Sequence, residues 1–193
     1  MNRFRLLAAL AFASITSCAT VAPAAEDWPG HTVLEDDPVP TVQVEFSLPN
    51  ENTPNRDAYD STLQAAGLPV LIEFYFAACS ACNDNADNFR ELVEEFHGAQ
   101  AQLVEVSIDD RAASYTAWIE RHGATHPVLN GSDGELTRQL GVQRYPTTVV
   151  LDENHEVVWR HVGVWSAAVK ARLRLMLQTR QLASVPSRAN IPL

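Results

Sequence analysis

Apolar positions along this chain recur with two different periods, and the switches between them mark its elements. Over residues 41–46 they fall at every second place, as in a strand with one buried face. Residues 57–66 read as a helix stopped by Gly67, and 70–76 is apolar almost throughout, as in a strand covered on both sides. From 80 to about 97 the period lengthens: Phe89, Leu92, Val93 and Phe96 share one helical face, with Gly98 as the stop. Residues 103–108 are again strand-like. The segment 111–122 carries Tyr115, Trp118 and Ile119 on one helical face, and 127–129 is a short extended piece. Ser132 and Glu135 form a capping box that opens a short helix ending near Gly141. Residues 147–151 and 157–162 are strands joined by the tight turn Asp152-Glu153-Asn154-His155, hence an antiparallel hairpin, and a last helix spans about 166–182. Alternating strands and helices that close on a hairpin and a helix predict an α/β sheet covered on both faces.

The apolar run that begins at Leu71 ends in Cys79-Ser80-Ala81-Cys82, which places two cysteines three positions apart at the start of the long helix. A thiol attacks a disulfide only as thiolate, and the unpaired N–H groups and positive dipole end of a helix N-terminus favour that anion. Cys79 is therefore the expected nucleophile. Cys82, one turn deeper on the same face, can close on it. The helix dipole contributes about 0.3–1 kcal/mol against 1.36 per pKa unit, so an activated Cys79 also needs direct hydrogen bonds, from the N–H groups of Ala81 and Cys82 or the Ser80 hydroxyl. Other uses of the pair compete. A structural staple is poorly placed, since so short a loop stabilises by only about 2 kcal/mol, against roughly 4 to 5 for a long one. Zinc is suggested by His122 and His126, but Gly123 and Pro127 interrupt any helix that would carry both. Two thiolates also suit Cu(I), which keeps a copper-binding chaperone or assembly factor as a rival.

With 193 residues, 46% of them hydrophobic, the chain can bury one good core. A formal charge of −10, with Lys170 the only lysine, excludes a nucleic-acid partner, because the phosphate-neutralising basic stripe is missing. Arg3 and Arg5 precede an apolar stretch to about Ile15 that is too short to span a bilayer, followed by small residues, which reads as an export leader over 1–24. Two exits compete: Ala22-Pro23-Ala24 fits a signal-peptidase site, and Ile15-Thr16-Ser17-Cys18 resembles a bacterial lipobox that would lipidate Cys18 and anchor the chain to a membrane. Either one puts the domain in a periplasmic or other extracytoplasmic compartment, where disulfides persist. Residues 25–40, acidic and proline-containing, read as a flexible linker, 41–182 as the domain and 183–193 as a loose tail.

From residue 41 to 181 the chain resembles the thioredoxin superfamily. The similarity rests on linked features: Cys79 and Cys82; Glu73, six residues before Cys79; Tyr145-Pro146-Thr147; and Gly163, where the hairpin returns to the last helix. The addition of about one helix and one short strand between Asp109 and Pro146, with Pro127-Val128-Leu129 ahead of Leu140-Gly141-Val142, is similar to the TlpA and ResA-like extracytoplasmic reductases. Departures are Ala78, where most relatives have tryptophan, Glu105, near the usual place of a strand lysine, and Tyr145, closer to protein disulfide isomerases.

The resemblance implies a thioredoxin fold, with a central mixed β-sheet flanked by helices and a helix–strand insertion before a cis-proline loop. It implies that Glu73 is a buried carboxyl that takes the Cys82 proton as Cys82 attacks a mixed disulfide. Pro146 would present a backbone edge beside Cys79 to an extended client, and Tyr145 would shape client choice. The activity expected is thiol:disulfide oxidoreduction, in the reducing direction, with oxidase or isomerase activity as the alternative. No cofactor beyond the redox-active Cys79–Cys82 disulfide is called for. The implied partners are protein thiol or disulfide clients and a membrane electron donor of the disulfide-interchange type.

Overall fold

The start of the domain departs from its expected form. In the computed structural model, which describes residues 42–179, Val44 and Phe46 are buried as the alternation requires, yet this segment joins no ladder. It makes a single bridge, Gln43 with Glu156, flanked by backbone bonds from Val44 to His155 and from Val157 to Val42. The first ladder strand comes just after it, β1 (Ser47–Pro49), antiparallel to β2 (Ala58–Asp60). The helix expected over 57–66 is thus replaced by β2 and one turn, α1 (Ser61–Gln64). Tertiary packing overrides helical spacing here: Tyr59 is fully buried and stacks on Phe46 at 5.9 Å, and pairing with β1 holds its backbone extended. Asp60 then caps α1, accepting from the Thr62 and Leu63 N–H groups.

The rest follows the sequence reading closely. β3 (Val70–Tyr75), α2 (Ser80–Phe96), β4 (Gln102–Ser107), α3 (Ala112–His122) and β5 (Val128–Asn130) come in order, with β3, β4 and β5 mutually parallel. After α4 (Glu135–Gln139), β6 (Thr147–Leu151) and β7 (Val157–Val162) add antiparallel strands, and α5 starts at Ala167 and is described to Thr179. The sheet order β5-β4-β3-β6-β7 puts β3, which delivers the cysteines, at the centre. One expected detail fails: Ser132 caps nothing. Gly134, in the left-handed conformation at φ 71°, is the N-cap of α4, so the helix starts two residues later than a Ser132 cap requires.

All six residues of β3 are buried. Val70, Ile72 and Phe74 face a core closed by Val44, Phe46, Tyr59 and α4, while Leu71 faces a second core in which Phe89, Leu92 and Phe96 of α2 meet Val169, Leu173 and Leu177 of α5. A third cluster surrounds the cysteines at the C-terminal end of the parallel strands, with Tyr75, Ala86, Tyr115, Trp118 and Val128. Among the described residues no helix is long and apolar enough to cross a membrane. The leader 1–24 with Cys18, the linker 25–40 and the tail 183–193 lie outside the described residues.

Candidate active site

Cys79 is the N-cap of α2, and a disulfide joins it to Cys82, with 5.2 Å between the Cα atoms. In the oxidised pair the Cys79 sulfur stands where the thiolate would be, and the Cys82 N–H donates to it at 3.1 Å. Of the three donors the sequence suggested, this is the one that reaches. Cys79 keeps 8% exposure against 2% for Cys82, so it is the outer residue of the pair. Two side chains pin the loop that carries it. Asp109 accepts from the Ala77 N–H at 2.8 Å, and Asn83 donates to the carbonyls of Ala77 (3.1 Å) and Cys79 (2.7 Å). On its other side Asn83 accepts from Arg121 and bonds His122, which ties α3 to the cysteine loop.

The Tyr145–Pro146 peptide bond is cis, and the Tyr145 carbonyl lies 4.0 Å from the Cys79 sulfur. Pro146 is buried, and its carbonyl accepts from Gly163 at 2.8 Å. Tyr145 is half-buried and meets Phe76 edge-on at 5.7 Å, so two aromatic rings stand beside the disulfide.

Glu73 is buried, at 3% exposure, on the sheet face that carries α2. Asn85 donates to its Oε1 at 2.7 Å and Thr148 to its Oε2 at 2.6 Å. Asn85 lies three residues past Cys82 on the same buried face of α2, which sets Glu73 one helical turn below the inner cysteine. Burial pushes the Glu73 carboxyl up to about 8; the bonds from Thr148 and Asn85 oppose that rise and the charge of Glu105 adds to it. Trp165 orders both donors, its N–H bonding Asn85 Oδ1 and its indole N–H bonding Thr148 Oγ1.

The four positions expected to meet, Cys79, Cys82, Tyr145 and Pro146, do so, and Glu73 lies beneath them. The histidines considered for zinc are occupied otherwise: His122 bonds Asn83, and His126 bonds Glu105 at 2.8 Å. Sequence reasoning missed Asn83, Asn85, Asp109, Thr148 and Trp165. Asn85 left a trace, a polar residue on the apolar face that runs Cys82, Ala86, Phe89. The others left none: Asn83 is one more polar residue at a helix start, and Asp109, Thr148 and Trp165 bond partners far away in sequence.

A central mixed sheet that delivers a dithiol to a helix N-terminus is the thioredoxin fold, and the protein belongs to that class. The AhpC/TSA family model matches residues 38–160, so the chain is a member of that family. It is 21% identical over 97 residues to the thiol-disulfide oxidoreductase ResA of Halalkalibacterium halodurans, covering 50% of this chain and 55% of the relative, so the chain spans little more than half of that protein's length. It is 32% identical over 126 residues to a Mycobacterium tuberculosis protein that carries the name peroxiredoxin, covering 59% of this chain and 78% of that one. Among solved structures, a thioredoxin-family thiol:disulfide interchange protein from Chlorobium tepidum superposes with a TM-score of 0.62 at 18% identity, over 75% of this chain and 98% of the other.

Proposed function

We propose that this is an extracytoplasmic thiol:disulfide oxidoreductase that reduces protein disulfides through the Cys79–Cys82 couple. The observation that carries the reading is the disulfide at the N-terminus of α2, with Cys79 outermost and hydrogen-bonded by the Cys82 N–H. The Cys79 thiolate attacks a client disulfide; the client S–S bond breaks, a Cys79–client disulfide forms, and one client thiolate leaves. Cys82 then gives its proton to Glu73 in its ionised form and attacks the Cys79 sulfur, re-forming the Cys79–Cys82 bond and releasing the second client sulfur as thiolate. Two electrons have passed from the dithiol to the client, and a membrane electron donor of the disulfide-interchange type returns them. The export-type leader supports an extracytoplasmic site of action, soluble or lipid-anchored through Cys18.

Dithiothreitol-driven insulin reduction tests the reading. The wild-type chain is expected to accelerate insulin precipitation, and Cys79→Ala to match the uncatalysed rate; equal rates for the two proteins reject the activity. The peroxiredoxin name of a 32% identical relative favours a second reading, in which the Cys79 thiolate takes oxygen from a hydroperoxide, leaving an alcohol, and Cys82 condenses with the sulfenic acid to release water. Peroxide consumption by the reduced protein, measured beside insulin reduction, separates the two.

A further inference from the structure

Glu105 is a second carboxylate inside the same sheet, at 2% exposure, and it lies outside the Cys79–Cys82 exchange. In the parallel ladder of β3 and β4 it is the register partner of Glu73, so the two acids are neighbours across one strand spacing. Two N–H donors hold it: the Trp118 indole at 3.0 Å and His126 Nε2 at 2.8 Å, both on Oε2. The other nitrogen of His126, Nδ1, is buried without a hydrogen-bond partner, which makes Nε2 the nitrogen that carries the proton and donates. Trp118 is locked in turn by a 4.0 Å stack on Tyr75. Removing a carboxylate from water is costly unless its oxygens are satisfied, and here two donors from α3 and the segment before β5 converge on one oxygen.

We propose that Glu105, fixed by Trp118 and His126, is a positioning residue for the redox site: its charge, one strand from Glu73, adjusts how readily Glu73 accepts the proton of Cys82. This rests on the oxidoreductase reading. The groups packed around Glu73 make Glu105 the ionisable neighbour that matters. From β6 comes the neutral Thr148, from α2 the neutral Asn85 and, a turn above, Cys82; on β3 itself the next residue of that face is Tyr75. His126 and Trp118 bond Glu105, and His122, on α3, bonds Asn83. Burial is the largest cause of the raised affinity of Glu73 and the Glu105 charge adds to it, so Glu105 tunes the acceptor rather than creating it.

The test is a carbon-13 NMR titration of the Glu73 carboxyl in the oxidised full chain, with Glu73→Gln to assign the resonance. Glu105→Gln is expected to lower the Glu73 midpoint by roughly half a pH unit to one unit, and Glu105→Asp, which keeps the charge, to restore most of it. Should Glu105→Gln not fold, Glu105→Leu removes the charge with no polar group left to bury, and the same downward shift is expected. A midpoint that stays within about 0.2 unit of wild type in a folded, uncharged variant overturns the proposal, as does a shift that Glu105→Asp reproduces in full. No client is present in this measurement. A failed insulin assay therefore rejects the oxidoreductase reading alone, and an unmoved midpoint rejects the role of Glu105 alone.

Discussion

Glu73 gives up its proton only near pH 8 in the folded chain, against an ordinary value of 4.5, and that ties stability to pH through a single residue. The folded state holds the proton more tightly than the unfolded one. Its contribution is therefore fully present below about pH 4.5 and is lost progressively as pH rises through about 8. Glu73→Gln, which cannot ionise, should escape the loss. In urea melts of the oxidised proteins the variant is expected to gain on wild type by a few kcal/mol between pH 5 and pH 9, and parallel pH profiles would show that the carboxyl is not buried as described. The proposed division of labour between the cysteines belongs to the same scale. On the proposed mechanism Cys82→Ala should accumulate mixed disulfides with clients on non-reducing gels and Cys79→Ala none, Cys79 being the outer residue of the pair. Equal trapping by both variants would reverse or abolish the assignment.

α2 positions the dithiol at its first turn, and α5 braces the other end of that helix. Two kinds of contact join them: Val169, Leu173 and Leu177 buried against Phe89, Leu92 and Phe96, and exposed ion pairs of Lys170 and Arg174 with Glu91 and Glu95. Magnitudes decide between them. A fully buried leucine truncated to alanine costs about 2–5 kcal/mol, whereas an exposed ion pair is worth about 0–1. Leu173→Ala is accordingly expected to lower unfolding stability by 2 kcal/mol or more and Arg174→Ala by less than about 1, both read from denaturant midpoints. Comparable losses would mean that the charge network, not the core, holds α5. This helix and α2 were legible in the sequence, since each repeats its apolar residues along one face. The segment at 57–66 was not, because the pull on Tyr59 comes from Phe46 and from pairing with β1.

For the molecule as a whole, the direction of electron flow depends on how strongly the reduced state is favoured. The Ser80-Ala81 pair between the cysteines brings no imidazolium to hold the Cys79 thiolate, and the Cys82 N–H is the donor that reaches its sulfur. The reduced form is then stabilised less than in a strong oxidant, and the potential should lie nearer the thioredoxin value of about −270 mV than the strongly oxidising value of about −120 mV. Equilibration with glutathione or dithiothreitol buffers measures it. A potential above about −180 mV would turn the protein into an oxidase or isomerase.

Sequence alone determined what depends on spacing along the chain: the central apolar strand, the helix after it, the hairpin, and the placing of Cys79 and Cys82 one turn apart at a helix start. Those follow from local periods and from the fixed geometry of one helical turn. What surrounds the inner cysteine was decided by tertiary structure. Glu73, Asn85, Glu105, Thr148 and Trp165 come from separate segments, and His126 and Trp118 from two more. They meet through the β3–β4 and β3–β6 registers and the way α2, α3 and α5 lie on the sheet. No local period records which residue of one strand stands opposite which residue of the next, so a lone glutamate in an apolar run reads the same whether its neighbour is a threonine, an asparagine or a second acid.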